Sequence, residues 1–314
     1  MKLVTGGAGF IGSAVVRNLL ARSEEVRVVD LRSPGSGPDG AEYLEGDVAD
    51  ADVSARAFKG VDVCFHLAAK IGGIGYFHRY PADILDDNNL MLSQVFRTAT
   101  GSGTKVVYVS SSMVFERARE WPTPEDAIDR YPPPFSAYGF SKLVGEWYCR
   151  AFHEQFDTPF AIARPFNAYG PGEYPESEPG LAHVIPDLIK KILSGDRPIS
   201  ILGDGSQTRS FTYVEDVADA IVTIGTHPDA EGDDFNIGTG DETSIRELLG
   251  FLWEILGFEG SPEVVSTDPL PVDVRRRVPD PSKIQRKLGW TARTDLHEGL
   301  VLTANWYRAE AARS

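Results

Sequence analysis

The stretch Gly6-Gly-Ala-Gly9-Phe-Ile-Gly12 constrains this chain more than any other. It follows a short apolar strand at 1–5 and runs into an apolar-periodic helix from 13 to about 22. Glycines between a strand and a helix are the setting of a dinucleotide fingerprint. Gly6 permits the tight turn, Gly9 lets a diphosphate approach the backbone, and Gly12 lets helix pack on strand. Phe10 and Ile11 lie in the same loop, ahead of a helix whose N-terminus faces the phosphates. Asp30 ends the next strand, 25–31, at the separation where a carboxylate meets the adenosine ribose diol. Such an acid repels a 2′-phosphate, so NAD is expected in preference to NADP. Arg32, two residues on, softens that preference.

Further along, strands and helices alternate. The apolar strand 61–67 ends at Leu67 and is followed by Ala68-Ala69, small residues that leave room for a cofactor to pass. The glycine-rich run 71–77, which contains Gly73, lies at the carboxyl end of that strand, where ligands bind in open α/β sheets. Residues 83–101 read as a long helix, and 105–110 as a strand that delivers Ser110–Ser112 to the same edge. The Pro- and acid-rich segment 117–137 reads as an exposed loop, 137–156 as a helix and 159–165 as a strand. This alternation predicts a doubly wound α/β fold of Rossmann type, a parallel sheet covered on both faces. Beyond 165 the elements are shorter and mixed. They predict a smaller C-terminal α/β substrate domain over 166–314, closing on a dinucleotide-binding domain over 1–165. Part of about 199–225 is assigned back to the first domain.

Tyr138 and Lys142 are four residues apart, which places both on one face of a helix. An ammonium near a phenol favours the phenolate and lowers its pKa from its usual value near 10. The phenol then works as a base closer to neutral pH. Ser111 supplies a hydroxyl to share the substrate's proton. A lone serine at a strand end is ordinarily only a cap, but here the Tyr-Lys pair follows it.

The 314 residues carry a formal net charge of -15, which argues against nucleic acid or an anionic membrane as partner. No apolar run is long enough to span a bilayer, and no signal-peptide pattern precedes the first strand. The two cysteines, Cys64 and Cys149, lie in apolar segments without metal-ligand spacing. No metal site is expected, and buried thiols fit a reducing cytoplasm.

Together these motifs resemble the extended short-chain dehydrogenase/reductases that act on nucleotide sugars, and the likeness runs along essentially the whole chain. Residues 5–12 resemble the family's cofactor loop, Asp30 its ribose acid, and Asp47-Val48 the pair beside the adenine. His66-Leu-Ala-Ala69 resembles the strand passing the cofactor, and Ser111, Tyr138 and Lys142 the catalytic triad. Asn167, in Arg164-Pro-Phe-Asn-Ala-Tyr-Gly-Pro171, resembles the residue that meets the sugar diphosphate. Arg209, in the run 203–211, and Arg275 resemble the arms that hold the phosphates. The resemblance implies NAD as cofactor, a GDP- or UDP-hexose as substrate, with Ser112 and Gly73 beside it, and a homodimer built on helices 83–101 and 138–156.

It also implies that Tyr138 takes a proton from a sugar hydroxyl while hydride leaves that carbon. Dehydratases of the family need an acid and a base at the two residues after the serine, and decarboxylases a Glu at the second; here these are Ser112 and Met113. Methionine transfers no protons. The expected activity is therefore NAD-dependent nucleotide-sugar epimerisation at C4. A second reading follows from Gly72-Gly-Ile-Gly75, Pro81-Ala-Asp83 and His183-Val-Ile-Pro186. The first resembles GDP-mannose 3,5-epimerase and GDP-fucose synthase, and the other two the synthase, where the residue matching His183 is the second acid/base. Those enzymes use a Cys at the position of Met113. A dehydratase and a non-catalytic NAD sensor rank below both.

Overall fold

The computed structural model describes the chain except residues 33, 34, 36, 72–78, 175–182, 269–273 and 313–314. Its first half runs β1 (Lys2–Thr5), α1 (Phe10–Ala21), β2 (Val26–Asp30), β3 (Glu42–Glu45), α2 (Ala51–Ala57), β4 (Val63–His66), α3 (Pro81–Ser102), β5 (Lys105–Val109), α4 (Ala127–Arg130), α5 (Ala137–Phe156), β6 (Phe160–Pro165). The second half is made of shorter pieces. These are β7 (Ala168–Tyr169), α6 (Val184–Ser194), β8 (Ile199–Leu202), β9 (Thr208–Arg209), β10 (Thr212–Tyr213), α7 (Val214–Thr226), β11 (Asp234–Ile237), β12 (Thr243–Ser244), α8 (Ile245–Ile255), β13 (Val264–Thr267), β14 (Arg276–Arg277), α9 (Ser282–Leu288), α10 (Leu296–Ala311).

Seven strands form one sheet in the order β11-β6-β5-β4-β1-β2-β3, every neighbouring pair parallel. Covered on both faces, the central strands are apolar almost throughout, as in Val63-Cys-Phe-His66 and Lys105-Val-Val-Tyr-Val109. From β1 the chain winds outward to β2 and β3, then returns to build β4, β5, β6 and β11 on the other side. Thr5 is accordingly in register with both Val29 and His66. That reversal opens a crevice at the carboxyl ends of the strands.

One face of the sheet is packed by α1, α7 and α9, with Val15, Leu19, Ile221 and Ile284 against Phe65, Val107 and Phe235. The other is packed by α2, α3 and α5, with Ala57, Phe96 and Cys149 against Leu3, Cys64 and Val106. A further core joins Ile189 of α6, Leu249 and Leu252 of α8 and Leu300 of α10 to Ile199 and Ile201 of β8. Full burial of each large apolar side chain contributes about 1.5–3 kcal/mol.

Three elements depart from the sequence reading. α1 starts at Phe10, not 13, because the helix begins directly after Gly9, its N-cap. β11, read as part of the second half, hydrogen-bonds along β6 and completes the main sheet. Segment 117–137 is not an exposed loop. Thr123 N donates to Val278 O at 2.8 Å, and the buried Glu125 carboxylate accepts from Asn236 N at 2.9 Å. Asn236 Nδ2 donates to Thr123 O at 3.0 Å. Partners more than 100 residues away satisfy these polar groups in place of water.

Candidate active site

The carboxyl ends of β1, β4, β5 and β6 open into a cleft of about 1880 Å³. A single small-molecule site spans roughly 300–1,000 Å³, so there is room for a dinucleotide and a second ligand. At the β1 end Gly6 has φ +72°, and a Cβ there would lie 2.9 Å from the Ala68 backbone. A Cβ on Gly12 would lie 2.0 Å from the Gly6 carbonyl oxygen. Only glycine fits this fold of the loop. Gly9 brings no side chain to cap α1, so the helix's first N–H groups and its positive end face the cleft beside Phe10 and Ile11. A cradle that a Cβ would fill, at an uncapped helix start, fits a dinucleotide diphosphate.

Asp30 lines the same cleft. Its Oδ2 accepts from Ala8 N and its Oδ1 from Arg32 N, each at 3.0 Å, while Arg32 Nη1 donates to Ala8 O at 2.8 Å. The carboxylate is thus fixed on the rim of the glycine loop, where a ribose diol would meet it. Asp47 and Val48 line the wall beyond β3, and Leu67, Ala68 and Ala69 the exit of β4. Inside, His66 is buried and shares a 2.7 Å hydrogen bond between Nδ1 and Thr5 Oγ1. Burial and the nearby Lys142 charge hold its pKa down to about 3, so it stays neutral.

β5 delivers Ser111 and Ser112, and α5 delivers Tyr138 and Lys142, all onto the cleft. Ser136 caps α5 through Gly139 N at 3.0 Å, which sets the helix start one residue before Tyr138. Ser111 Oγ accepts from Met113 N at 3.2 Å and is hydrogen-bonded to the Tyr138 phenol. Lys142 Nζ donates to Val109 O at 2.9 Å and lies 5.8 Å from the centroid of the Tyr138 ring. Burial lowers Lys142 to about 8, against the opposing charge of Glu146. Burial also pushes the Tyr138 phenol up to about 12, opposed by the Ser111 hydrogen bond and the Arg277 charge. The sequence reading looks to Lys142 for the phenol's pKa; in the structure desolvation is the largest influence on it, and the Arg277 charge acts there as well.

On the opposite wall Asn167 adopts φ +35°, a region that asparagine tolerates better than most side chains. Its Nδ2 donates to Ser210 O at 2.9 Å, and its carbonyl accepts from Thr212 N at 3.2 Å. Asn167 therefore pins the backbone next to Arg209, which also lines the cleft. His183 is the N-cap residue of α6, lines the cleft and hydrogen-bonds Glu173 through Nδ1. Gly73 lies outside the described residues.

Of the expected residues that are described, Arg275 is the one that does not line the cleft. It is exposed, and its backbone carbonyl accepts from Thr208 N at 2.9 Å. Arg276 pairs with Glu242 at 2.6 and 2.8 Å and stands over the Trp121 ring. Arg277 is the member of the cluster that lines the cleft. Strand alternation separates Arg276 from Arg277, but it leaves Arg275 and Arg277 on one face. Where β14 sits against β9 decides between them, and no local signal shows that.

A family model described as NAD dependent epimerase/dehydratase family matches residues 2–238. The chain is 34% identical to UDP-glucose 4-epimerase of Mycolicibacterium smegmatis, covering 98% of each chain. It is 32% identical to GDP-L-fucose synthase 1 of Arabidopsis thaliana, over 97% of this chain and 92% of that one. Its structure matches a UDP-glucose 4-epimerase from Thermotoga maritima, solved with UDP-glucose, at a TM-score of 0.89. That likeness has 32% identity and covers 99% of both chains.

Proposed function

The chain belongs to the NAD dependent epimerase/dehydratase family, and from that premise we propose that it inverts C4 of a nucleoside-diphosphate hexose through a 4-keto intermediate. The observation that carries this reading is Met113. It lines the cleft next to Ser111 and Ser112, buried, where dehydration or 3,5-epimerisation would need a proton-transfer group. What remains at the reacting end is Ser111, Tyr138 and Lys142, the set needed for reversible oxidation of one hydroxyl.

In this reading Tyr138 Oη takes the proton of the C4 hydroxyl and later returns it. Ser111 donates to the same sugar oxygen as it becomes a carbonyl. Lys142 supplies positive charge beside the phenolate. Bound NAD supplies the hydride chemistry at C4, with no net redox change over a cycle. Arg209 and Arg277 face the diphosphate, and Asn167 holds the Arg209 backbone in place. Residues 1–165 bind NAD, with part of 199–225 beside them, and 166–314 mostly hold the nucleotide sugar. The epimerase relatives favour a UDP-hexose.

A second reading, a GDP-sugar 3,5-epimerase or 4-keto reductase, is favoured by the Glu173–His183 pair on the cleft wall. A carboxylate-held imidazole is a competent proton shuttle. The two-fold partner is a second copy of this chain. α3 and α5 pack together and leave Leu90 54%, Phe140 42% and Trp147 63% exposed. The cytoplasm suits two buried free thiols. No helix among the described residues is long and apolar enough to cross a membrane.

The test is a turnover screen of the purified protein against UDP-, GDP-, dTDP- and CDP-hexoses without added cofactor. An inverted hexose with no net change in NAD is expected. Turnover that requires added NAD(P)H and a 4-keto sugar would replace the epimerase with the reductase. In the first case the His183→Asn variant keeps most of its activity; in the second it loses it.

A further inference from the structure

Glu146 stands one turn beyond Lys142 and two beyond Tyr138 on α5, so the three share a face of the helix. Its carboxylate is fully buried, as is its partner Arg164 on β6. The pair is bidentate, with Nε to Oε1 at 2.7 Å and Nη2 to Oε2 at 2.6 Å. Asp234 on β11 also accepts from Arg164 Nη2, and Lys283 on α9 donates to Asp234 at 2.6 Å. The carboxylate is therefore locked from behind by a chain of charges that reaches the surface.

On its other side Glu146 Oε1 accepts from Ser110 Oγ at 2.6 Å. Ser110 sits between Val109, whose carbonyl holds Lys142 Nζ, and Ser111. A buried ion pair is weak evidence of stabilisation, since apolar residues of the same volume are often as stable. Its position directly behind the reacting group is the more informative fact.

We propose that Glu146, held by Arg164, is a positioning residue that keeps Lys142 in its ammonium form with Nζ on the Val109 carbonyl. The inference rests on the role given above to Lys142. The ionisable groups around this locus are His66 of β4, Tyr108 of β5, Tyr138, Cys149 and Arg150 of α5, Arg164 of β6 and Asp234 of β11. Of these, the Glu146 charge raises the proton affinity of Lys142. Burial works against it, and the balance leaves Lys142 at about 8. Taking the carboxylate away removes the raising influence, so the ammonium form empties at lower pH.

The experiment is a pH titration of Lys142 by NMR in full-length protein carrying 13C at lysine Cε, the signal assigned with Lys142→Arg. Glu146→Gln lowers the midpoint by about one unit, a roughly tenfold loss of proton affinity. Glu146→Asp, which keeps the charge, restores most of it. Because Glu146→Gln leaves Arg164 buried opposite a neutral amide, a Glu146→Gln/Arg164→Gln variant guards against misfolding. Its midpoint also falls below that of the unmodified protein. An unchanged midpoint in these variants overturns the proposal, as does a failure of Glu146→Asp to restore it. Sugar turnover by the unmodified protein is measured on the same samples. Silence there would remove the epimerase reading while the titration still decides the role of Glu146.

Discussion

Arg275 and Arg277 are identical side chains two residues apart, and they meet different surroundings. Arg277 faces the cleft closely enough for its charge to act on Tyr138, whereas Arg275 is exposed outside it. A guanidinium loses little to solvent screening inside a cleft and much on an open surface. Arg277→Ala therefore raises KM for the nucleotide sugar about ten- to a hundredfold, the value of a charge-assisted hydrogen bond or two. Arg275→Ala changes it less than about twofold. Steady-state kinetics of the two variants decides, and equal effects would return the phosphate role to Arg275. Residue identity was readable in the run of three arginines; which one points inward was not, because the placement of β14 on β9 is a long-range contact.

At the scale of elements, the loop from β1 into α1 shows how sequence becomes geometry. Gly12 lies inside α1, where glycine normally weakens a helix, yet a Cβ there would overlap the Gly6 carbonyl. Gly12→Ala is expected to cost about 1–3 kcal/mol through overpacking and to open the turn. Less nicotinamide would be recovered from the denatured protein, and the thermal midpoint would fall. Gly101, near the end of α3, has no atom within 4 Å of its virtual Cβ. Gly101→Ala should instead stabilise by about 0.5–1 kcal/mol and leave bound nicotinamide unchanged. A melt of each variant separates the two glycines. The element that sequence misread, 117–137, failed for a definite reason. Its Pro and acidic residues usually signal solvent, but Thr123 and Glu125 find partners on Val278 and Asn236. Composition reports the cost of burying a polar group and says nothing of the partner that offsets it.

At the scale of the molecule, the parallel sheet brings four separate strand ends to one edge, and the cleft forms where the winding reverses. α3 and α5 leave Trp147, Leu90 and Phe140 uncovered. Trp147→Glu buries a charge in the proposed two-fold interface. Light scattering should then give a single 34.3 kDa chain in place of twice that mass. If the unmodified protein already elutes at the single-chain mass, the dimer is wrong.

The strand–glycine–helix start, the acid at Asp30 and the Tyr138–Lys142 spacing are short-range patterns. They are set by turn sterics and helical period, so the chain alone determined the fold class, the glycine cradle and the pairing of Tyr138 with Lys142 on one helix face. The chain alone also placed the serines on the same sheet edge, through the β–α alternation. Only the tertiary structure decided which arginine lines the cleft, that burial is the largest influence on the Tyr138 phenol, and that Glu146, one turn beyond Lys142, is held by Arg164. Those outcomes depend on how completely water is excluded and on which residues meet across the sheet. Neither quantity is a property of neighbours along the chain.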